Sequence, residues 1–246
     1  MRTSALVTHT TLGKLPPERV HPSAPQVAPE TVARYQALTD LTGSISDASD
    51  LLGIACTIPA ATLAPTSSVR VIGTALTVRN IGRSVQVLKA AGDRANGMGE
   101  IEAHHLARPG DVLVIQGLTG VSNLGGQSAS IGRRQGEIGA VIDGSIRDPD
   151  QYRASGLPVW SRGFTPITGK WRLETIEING EVEICGIPCR PGDLVCADGA
   201  GVCLVPRDWI LPVLELCEKY ERGDALRQAD IDAGVPIAEL VRRVYK

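Results

Sequence analysis

The segment that decides how the chain is interpreted is Gly139-Ala140-Val141-Ile142-Asp143-Gly144-Ser145-Ile146-Arg147-Asp148. Its first four residues are small or apolar, and they predict a short buried strand. Asp143-Gly144 then predicts a turn. Beyond the turn an arginine and a carboxylate stand side by side, followed by Pro149. We therefore expect a polar site for a small anion and a metal at the end of a buried strand.

Upstream of that strand, Leu124-Gly125-Gly126-Gln127-Ser128-Ala129 predicts the start of a helix. Glycines at a helix start leave backbone N–H groups bare, and the helix dipole favours a carboxylate or phosphate there. Close packing of the helix against a strand would need the same glycines, so both interpretations stay open. The pair is not a Gly-x-Gly-x-x-Gly motif, and no P-loop lysine follows it. Nucleotide binding is therefore not predicted.

Arg147 and Asp148 each have two interpretations. The guanidinium of Arg147 could bind an α-keto acid through two parallel hydrogen bonds and neutralise a developing enolate. Alternatively, it forms a structural ion pair with Asp148, Asp143 or Asp150. The carboxylate of Asp148 suits Mg²⁺, directly or through waters. Alternatively, Asp148 is the N-cap of a helix that has Pro149 at its first position.

Composition excludes several classes of protein. The chain has 246 residues, a formal net charge of −2 and a single phenylalanine, so its core must be built from Val, Ile, Leu and Ala. No dense stripe of Lys and Arg suggests nucleic-acid binding. No apolar run is long enough to span a membrane, and the N-terminus lacks the apolar core of a signal peptide. We expect a soluble, cytoplasmic protein.

Cysteines and histidines offer no familiar catalytic or metal motif. No Cys-x-x-Cys pair, Gly-x-Ser-x-Gly, His-Glu-x-x-His or zinc-ligand cluster is present, which argues against serine hydrolases and the usual zinc enzymes. Buried, reduced thiols are the expectation for the six cysteines. His104 and His105 are expected at the surface or in packing, and His9 and His21 in solvated loops. The cysteines are Cys56, Cys185, Cys189, Cys196, Cys203 and Cys217.

The order of predicted elements indicates an α/β protein with a mixed sheet. Residues 1–28 predict an extended N-terminal arm, and residues 29–246 a single domain. Asn179-Gly180, flanked by alternating residues, predicts a β-hairpin. The same turn-into-strand pattern occurs twice, at Arg108-Pro109-Gly110-Asp111 and at Arg190-Pro191-Gly192-Asp193. Other expectations are a helix from Pro29 to Leu41, a second helix capped by Ser44 or Ser46, a strand over 69–78 with a possible bulge at Gly73, and C-terminal helices over 208–222 and 237–244.

The segment 139–148 resembles the signature of the RraA-like family, which includes class II 4-hydroxy-4-methyl-2-oxoglutarate and 4-carboxy-4-hydroxy-2-oxoadipate aldolases and the regulator of RNase E activity. The resemblance extends in order from about residue 40 to 225. It implies a swivelling α/β/β sandwich with mixed sheets, assembled as a homotrimer or hexamer with sites between subunits. The further matching segments are 44–48, 73–78, 109–114, 162–166, 191–193 and 198–202.

The resemblance also implies roles for individual residues. Arg147 would contact the pyruvate unit, and Asp148 would hold a divalent metal, Mg²⁺, Mn²⁺ or another. Backbone N–H groups near the helix-start glycine would hold the pyruvate carboxylate. The substrate-binding set is then Gly125, Gly126, Gln127, Ser128 and Arg147, with Arg147 and Asp148 catalytic. An acidic residue from the neighbouring subunit would assist the metal waters, and the candidates are Glu218, Glu221 and Asp224.

These roles predict a metal-dependent lyase that cleaves a C–C bond of a 2-oxo acid through a pyruvate enolate, by aldol cleavage, oxaloacetate decarboxylation or both. No lysine sits in the motif for a Schiff base. Two alternatives remain: a non-catalytic regulator of RNA processing, a class that lacks the Asp of the Arg-Asp pair, or a metal-dependent lyase or hydrolase acting on another small acid. The chain departs from many family aldolases at Gly126, where they carry an acidic residue. Lys170 or Arg172 could bind a second acidic group, although a solvated loop is the simpler interpretation.

Overall fold

The computed structural model describes residues 11–245 and has eleven strands and eight α-helices in that range. The strands are β1 (Thr57–Pro59), β2 (Ala64–Pro65), β3 (Val71–Gly82), β4 (Asp111–Gln116), β5 (Gly139–Asp143), β6 (Val159–Ser161), β7 (Leu173–Ile178), β8 (Val182–Ile184), β9 (Ile187–Cys189), β10 (Leu194–Ala197) and β11 (Gly201–Val205). The helices are α1 (Pro29–Ala37), α2 (Leu41–Leu52), α3 (Val87–Gly92), α4 (Glu100–Leu106), α5 (Gly126–Gln135), α6 (Pro149–Ser155), α7 (Ile210–Asp232) and α8 (Ile237–Leu240).

One mixed sheet organises the fold, in the order β1-β11-β10-β3-β4-β5-β6-β2, with β7 also paired to β3. Strands β3, β4, β5 and β6 run parallel, and the other pairings are antiparallel. The parallel strands are buried on both faces, as their apolar runs predict. Helices α2 and α7 pack together near β10 and β11, whereas the core shared by α4, α5 and α6 lies against β4 and β5. The α/β prediction with a mixed sheet is confirmed.

Strand β3 is regular at Gly73, where we expected a possible bulge. Gly73 pairs in register with Val195, and the register shift lies further along, between Arg79 and Asn80 against β7. A Cβ on Gly73 would stand 2.4 Å from the carbonyl oxygen of Gly110. The glycine therefore permits close approach of the neighbouring turn, and the bulge prediction is wrong.

The two Arg-Pro-Gly-Asp segments form the same turn. Gly110 and Gly192 both have a positive φ, 93° and 90°, a conformation that glycine adopts at little cost. In each turn the aspartate side chain accepts a hydrogen bond from the backbone nitrogen of the arginine three residues earlier, at 2.9 Å to Asp111 and 2.7 Å to Asp193. Each turn leads directly into a strand that pairs with β3.

The hairpin predicted at Asn179-Gly180 is wrong. Strands β7 and β8 flank these residues but do not pair with each other, because β7 adds to β3 and β8 pairs with β9. The tight hairpin lies one connection later, at Cys185-Gly186, where both residues have positive φ. Asn179 does adopt a left-handed conformation (φ 58°), but its side chain bonds to the carbonyl of His21. The turn at Asn179 is therefore present, but β7 pairs with β3 and not with the strand that follows the turn.

Helix boundaries differ from expectation at both ends of the chain. The first helix ends at Ala37, and Asp40 caps α2 by accepting from the backbone nitrogen of Gly43, so Ser44 and Ser46 lie inside that helix. Helix α7 begins at Ile210 and continues to Asp232, ten residues beyond the predicted end at 222. Helix α8 is a single turn that ends at Leu240.

All six cysteines are free, and only Cys185 is not buried. His21 pairs with Glu177 at 2.8 Å, whereas His9 lies outside the described residues. Within residues 11–245 no helix has the length and apolar character needed to cross a membrane.

Candidate active site

The segment that follows β5 and the segment that precedes α5 are joined by backbone hydrogen bonds. Asn123 N donates to Ser145 O at 2.8 Å, and Arg147 N donates to Leu124 O at 3.3 Å. The buried Tyr152 hydroxyl also donates to Leu124 O, at 2.8 Å. These contacts hold the Arg-Asp pair beside the helix-start glycines, although more than twenty residues separate them in sequence.

Asp148 occupies the N-cap position of α6, but its side chain does not cap that helix. Its backbone is left-handed (φ 69°, ψ 56°), and its Oδ2 accepts a hydrogen bond from Gly126 N, the first residue of α5, at 3.2 Å. Residues held in this conformation without being glycine are concentrated at functional sites. The geometry therefore favours a functional carboxylate over a simple helix cap.

Arg147 contacts only one of its three expected partners. Its Nε lies 3.3 Å from Asp148 Oδ2. Asp143 instead pairs with Arg162, and Asp150 pairs with Arg153 at 2.9 Å. Within the described part of the chain no hydrogen bond engages Nη1 or Nη2 of Arg147. The outer edge of the guanidinium is therefore available to a ligand.

The two helix-start glycines have different reasons to lack a side chain. A Cβ on Gly125 would lie 3.2 Å from Asp148 Oδ2 and 3.5 Å from Arg147 Nε. A Cβ on Gly126 would lie 2.2 Å from the Cβ of Gln151 on α6. Gly125 thus gives space to the Arg-Asp pair, and Gly126 allows α5 and α6 to approach. Both interpretations of the glycine pair hold, one for each residue.

A cleft of about 340 Å³ opens at this point. Of the predicted residues, all but Gly126 line it; the buried Gly126 instead packs against Gln151 and donates its N–H to Asp148. Lys170, which we expected in a solvated loop, is exposed but also lines the cleft. The predicted residues on the lining are Gly125, Gln127, Ser128, Arg147 and Asp148.

Sequence reasoning did not assign three titratable side chains to this site. Glu100 lines the cleft, and burial raises the pKa of its carboxyl group. His104, expected at the surface or in simple packing, is fully buried between Ser128 and Glu137, and Glu137 is fully buried too. These residues come from separate segments, so no local motif marks them.

The three acidic candidates on α7 lie elsewhere on this chain. Glu218 makes a bidentate pair with Arg34, at 2.8 and 2.9 Å, and Glu221 accepts from Thr39 N at 2.7 Å. None of the three, Asp224 included, lines this cleft. Their assignment to a neighbour's site stays a prediction.

The protein ligands at this site suit a metal ion that keeps most of its bound waters, rather than one enclosed by side chains. Across residues 11–245 no three His, Cys, Asp or Glu side chains come together as a metal-binding group. Asp148 offers one carboxylate, whose Oδ1 has no hydrogen bond from any described residue. Mg²⁺ binds through one or two carboxylates and keeps several waters, so Asp148 fits such an ion.

Comparison with known proteins identifies the family. Residues 42–204 match the family described as "RraA-like: Aldolase/RraA", which is more than half of the chain. The chain belongs to the RraA-like family. A relative from Halalkalibacterium halodurans, provisionally named 4-hydroxy-4-methyl-2-oxoglutarate aldolase, is 32% identical over 155 residues, or 62% of this chain and 71% of that protein.

Two solved structures resemble the fold. An uncharacterized protein from Pseudomonas syringae pv. tomato is 25% identical, with a TM-score of 0.72 over 88% of this chain and 99% of its own. RraAS2 of Streptomyces coelicolor, titled an unusual member of the RNase ES inhibitor RraA protein family, is 25% identical, with a TM-score of 0.70 over 83% of this chain and 98% of its own. The family contains both aldolase and regulator names.

Proposed function

We propose that this RraA-like chain is a metal-dependent lyase that cleaves a carbon–carbon bond of a 2-oxo acid by way of a pyruvate enolate. The observation that supports it is the orientation of Asp148. Its carboxylate turns away from its own helix to the start of α5, beside a guanidinium whose outer edge is open to the cleft. A cation site and an anion site are thereby adjacent.

The chain's own residues would bind and orient the acid. The first N–H groups of a helix have no intrahelical acceptor, and those of Gln127 and Ser128 are available to a carboxylate at the cleft. Arg147 would form charge-assisted hydrogen bonds to the oxygens that gain charge as the enolate develops. The cleft volume, about 340 Å³, matches a small substrate rather than a large one.

Asp148 would hold the metal, which we propose is Mg²⁺ or Mn²⁺. When bound, such an ion supplies Lewis-acid polarisation of the 2-oxo group. Asp148 could serve with one oxygen, since Gly126 N and Arg147 Nε contact only Oδ2. Completion of the site by a neighbouring subunit of a trimer or hexamer is part of this proposal.

The charges of the cleft favour an acidic substrate. The charged side chains that line the cleft are two of each sign, Arg147, Lys170, Asp148 and Glu100. A divalent ion on Asp148 would then leave the cleft net positive. Oxaloacetate and 4-hydroxy-2-oxo diacids both match this charge, because each carries two carboxylates.

The competing function is a non-catalytic regulator, the class named by the Streptomyces neighbour. A regulator has no need of a carboxylate beside an open guanidinium, and the Asp of this pair is the residue that regulators are expected to lack. The two functions make opposite predictions about turnover.

The deciding experiment measures pyruvate release from oxaloacetate with Mg²⁺ and with excess chelator. We expect metal-dependent release well above the background of the metal alone, and a loss of at least 100-fold in Asp148→Asn. Asp150→Asn is the matched control, because Asp150 is two residues away, 89% exposed and paired with Arg153. Release no greater than background, or equal release by Asp148→Asn, would contradict the proposal and favour the regulator.

A further inference from the structure

A chain of hydrogen bonds runs from the cleft into the protein core. Ser128 Oγ, on the cleft wall, lies 2.9 Å from His104 Nε2, and His104 Nδ1 lies 2.7 Å from Glu137 Oε1. The His104 and Glu137 side chains have no exposed surface. A buried histidine that bridges a buried carboxylate and a hydroxyl at a cleft is the arrangement that moves protons in hydrolytic enzymes.

The buried carboxylate favours one direction for these bonds. Glu137 Oε1 is bonded to His104, and Oε2 has no hydrogen-bond partner among the described residues. With Glu137 as a carboxylate, which can only accept, the proton lies on Nδ1 of His104; this tautomer is part of the proposal and is tested below by ¹⁵N shifts. Nε2 of the neutral ring is then free to accept the Ser128 hydroxyl proton. The negative charge of Glu137 stabilises the imidazolium that forms.

A glycine on α5 leaves space for the His104–Glu137 pair. Gly132 lies one turn after Ser128, and a Cβ there would stand 2.3 Å from Glu137 Oε2 and 2.9 Å from His104 Cε1. Any larger residue would displace the imidazole or the carboxylate and disturb the hydrogen bond between them. Ser128 and Gly132 together form the surface against which the pair lies.

The geometry at Ser128 suits proton transfer better than nucleophilic attack. A serine nucleophile at a helix start uses the N–H of the following residue as an oxyanion donor. Here that group, Ala129 N, already donates to Gly125 O at 3.0 Å. An acyl intermediate on Ser128 would therefore lack this donor, whereas passing a proton requires only the hydroxyl and the imidazole.

We propose that Ser128 is the proton-transferring catalytic residue of the cleft, with His104 and Glu137 as the positioning residues behind it; this inference rests on the proposed lyase function. In aldol cleavage, the hydroxyl of a 4-hydroxy-2-oxo acid gives its proton to Ser128 Oγ as the Ser128 proton moves to His104 Nε2. The C3–C4 bond breaks, its electron pair enters the enolate, and C4 becomes a carbonyl. The same path returns one proton to C3, so the protons balance without a co-reactant.

Glu100 is the second acceptor within reach of the Ser128 hydroxyl. Ser128 Oγ can donate to Glu100 Oε1 at 3.3 Å, a longer contact than the 2.9 Å to His104 Nε2. Of the two acceptors, His104 is therefore the better placed to take the proton.

The test compares three reactions that need protons differently. Aldol cleavage must remove a hydroxyl proton, and exchange of pyruvate methyl hydrogens with D₂O must remove and restore a carbon-bound one. Oxaloacetate decarboxylation forms the enolate with no proton to abstract. In Ser128→Ala we expect the rates of cleavage and exchange to fall by about 100-fold or more, which is the ordinary contribution of a positioned acid–base group. The rate of decarboxylation should fall much less.

Conservative and control variants separate proton transfer from structure. Ser128→Thr keeps a hydroxyl and should restore part of the exchange rate. Ser130→Ala is the matched control, because Ser130 lies on the same helix, is exposed and bonds to Gly126 O at 3.0 Å. His104→Gln, checked for folding by circular dichroism, should lose exchange as Ser128→Ala does. An equal loss of all three reactions in Ser128→Ala, or a loss in none, would overturn the proposal.

Absence of turnover on any 2-oxo acid would contradict the lyase function without testing the hydrogen bonds of the relay. A spectroscopic measurement tests those bonds directly. The ¹⁵N shifts of the His104 ring, assigned with His104→Gln, should report a proton on Nδ1 and none on Nε2 at neutral pH. In Ser128→Ala the Nε2 resonance should shift. A ring protonated on Nε2 in the wild-type protein would refute the relay independently of any assay.

Discussion

The carboxylate of Asp148 accepts a hydrogen bond from the backbone nitrogen of Gly126, 22 residues earlier in the chain. This contact adds to the backbone bonds between the segment after β5 and the start of α5, and it gives α5 a carboxylate at its positive end. The side chain of the N-cap residue of α6 therefore bonds to a different helix.

Gly125→Ala should impair activity more than stability. The new Cβ would lie 3.2 Å from Asp148 Oδ2 and must displace the carboxylate by a few tenths of an ångström. Gly125 itself is extended (φ −109°), so alanine fits its backbone. We expect pyruvate release to fall about tenfold, because small misplacements of reacting groups are costly. Thermal unfolding should be nearly unchanged, and a large drop in melting temperature would contradict this account.

Gly126→Ala should impair stability more than activity. Its Cβ would meet the Cβ of Gln151 at 2.2 Å, so α5 and α6 must separate. We expect a loss of about 1–3 kcal/mol in the free energy of unfolding, the usual cost of overpacking. Gln151→Gly alone should cost about 1 kcal/mol as a helix-interior glycine. Urea unfolding of the double variant should show a smaller loss than the sum of the two single variants; strict additivity would argue against the contact.

Because His104 and Glu137 are buried together, we expect the effects of substituting them on the free energy of unfolding to be strongly coupled. His104→Ala leaves a buried carboxylate without its partner, which costs about 3–5 kcal/mol. Adding Glu137→Gln removes the charge, so the double variant should be more stable than His104→Ala alone. Chemical denaturation of the four proteins of the cycle measures this coupling. A double variant less stable than His104→Ala would mean that Glu137 is not held as a carboxylate.

Glu100 predicts a pH dependence of stability. Burial raises its pKa in the folded protein above the ordinary 4.5, so the folded state binds more protons than the unfolded state in the window above pH 4.5. The free energy of unfolding should therefore fall as pH rises through that window, by about 1.4 kcal/mol for each unit of pKa shift. Glu100→Gln should remove this fall in urea titrations at pH 4 to 8. The exposed Glu183→Gln should leave it in place.

Lys170 predicts a preference for a second carboxylate on the substrate. It is exposed at the rim of the cleft, where an ammonium group would attract an anion. Lys170→Ala should raise KM about tenfold for a 4-hydroxy-2-oxo diacid and leave KM for 4-hydroxy-2-oxopentanoate, which has one carboxylate, within a factor of two. Lys89→Ala is the control, since Lys89 is exposed on α3 and does not line the cleft. Equal shifts for both substrates would argue against this role.

The sequence was most informative where a local rule decides the structure. The two Arg-Pro-Gly-Asp turns and the strand at 139–142 follow from glycine conformation and apolar runs, and both are present. Asn179-Gly180 misled, because its turn is real but the pairing of β7 depends on the distant edge of β3. For Asp148, sequence left a helix cap and a functional carboxylate equally open, and only the position of its side chain separates them.

No local sequence pattern predicts the contact between His104 and Glu137. They are 33 residues apart, and their contact depends on how α4 and α5 pack. A glycine in mid-helix at Gly132 was the one available signal, since glycine there costs stability unless something must approach closely. That signal indicates a close neighbour without identifying it.

The left-handed backbone of Asp148 has a consequence for how such proteins can diverge. A non-glycine residue in that conformation costs on the order of 1 kcal/mol, which glycine would avoid, whereas the contacts of the carboxylate with Gly126 N and Arg147 would be lost. The two changes offset each other, so replacing Asp148 by glycine should alter stability little. Under the proposed lyase function, a lineage released from catalysis could lose this carboxylate at small cost and keep the same scaffold for other uses.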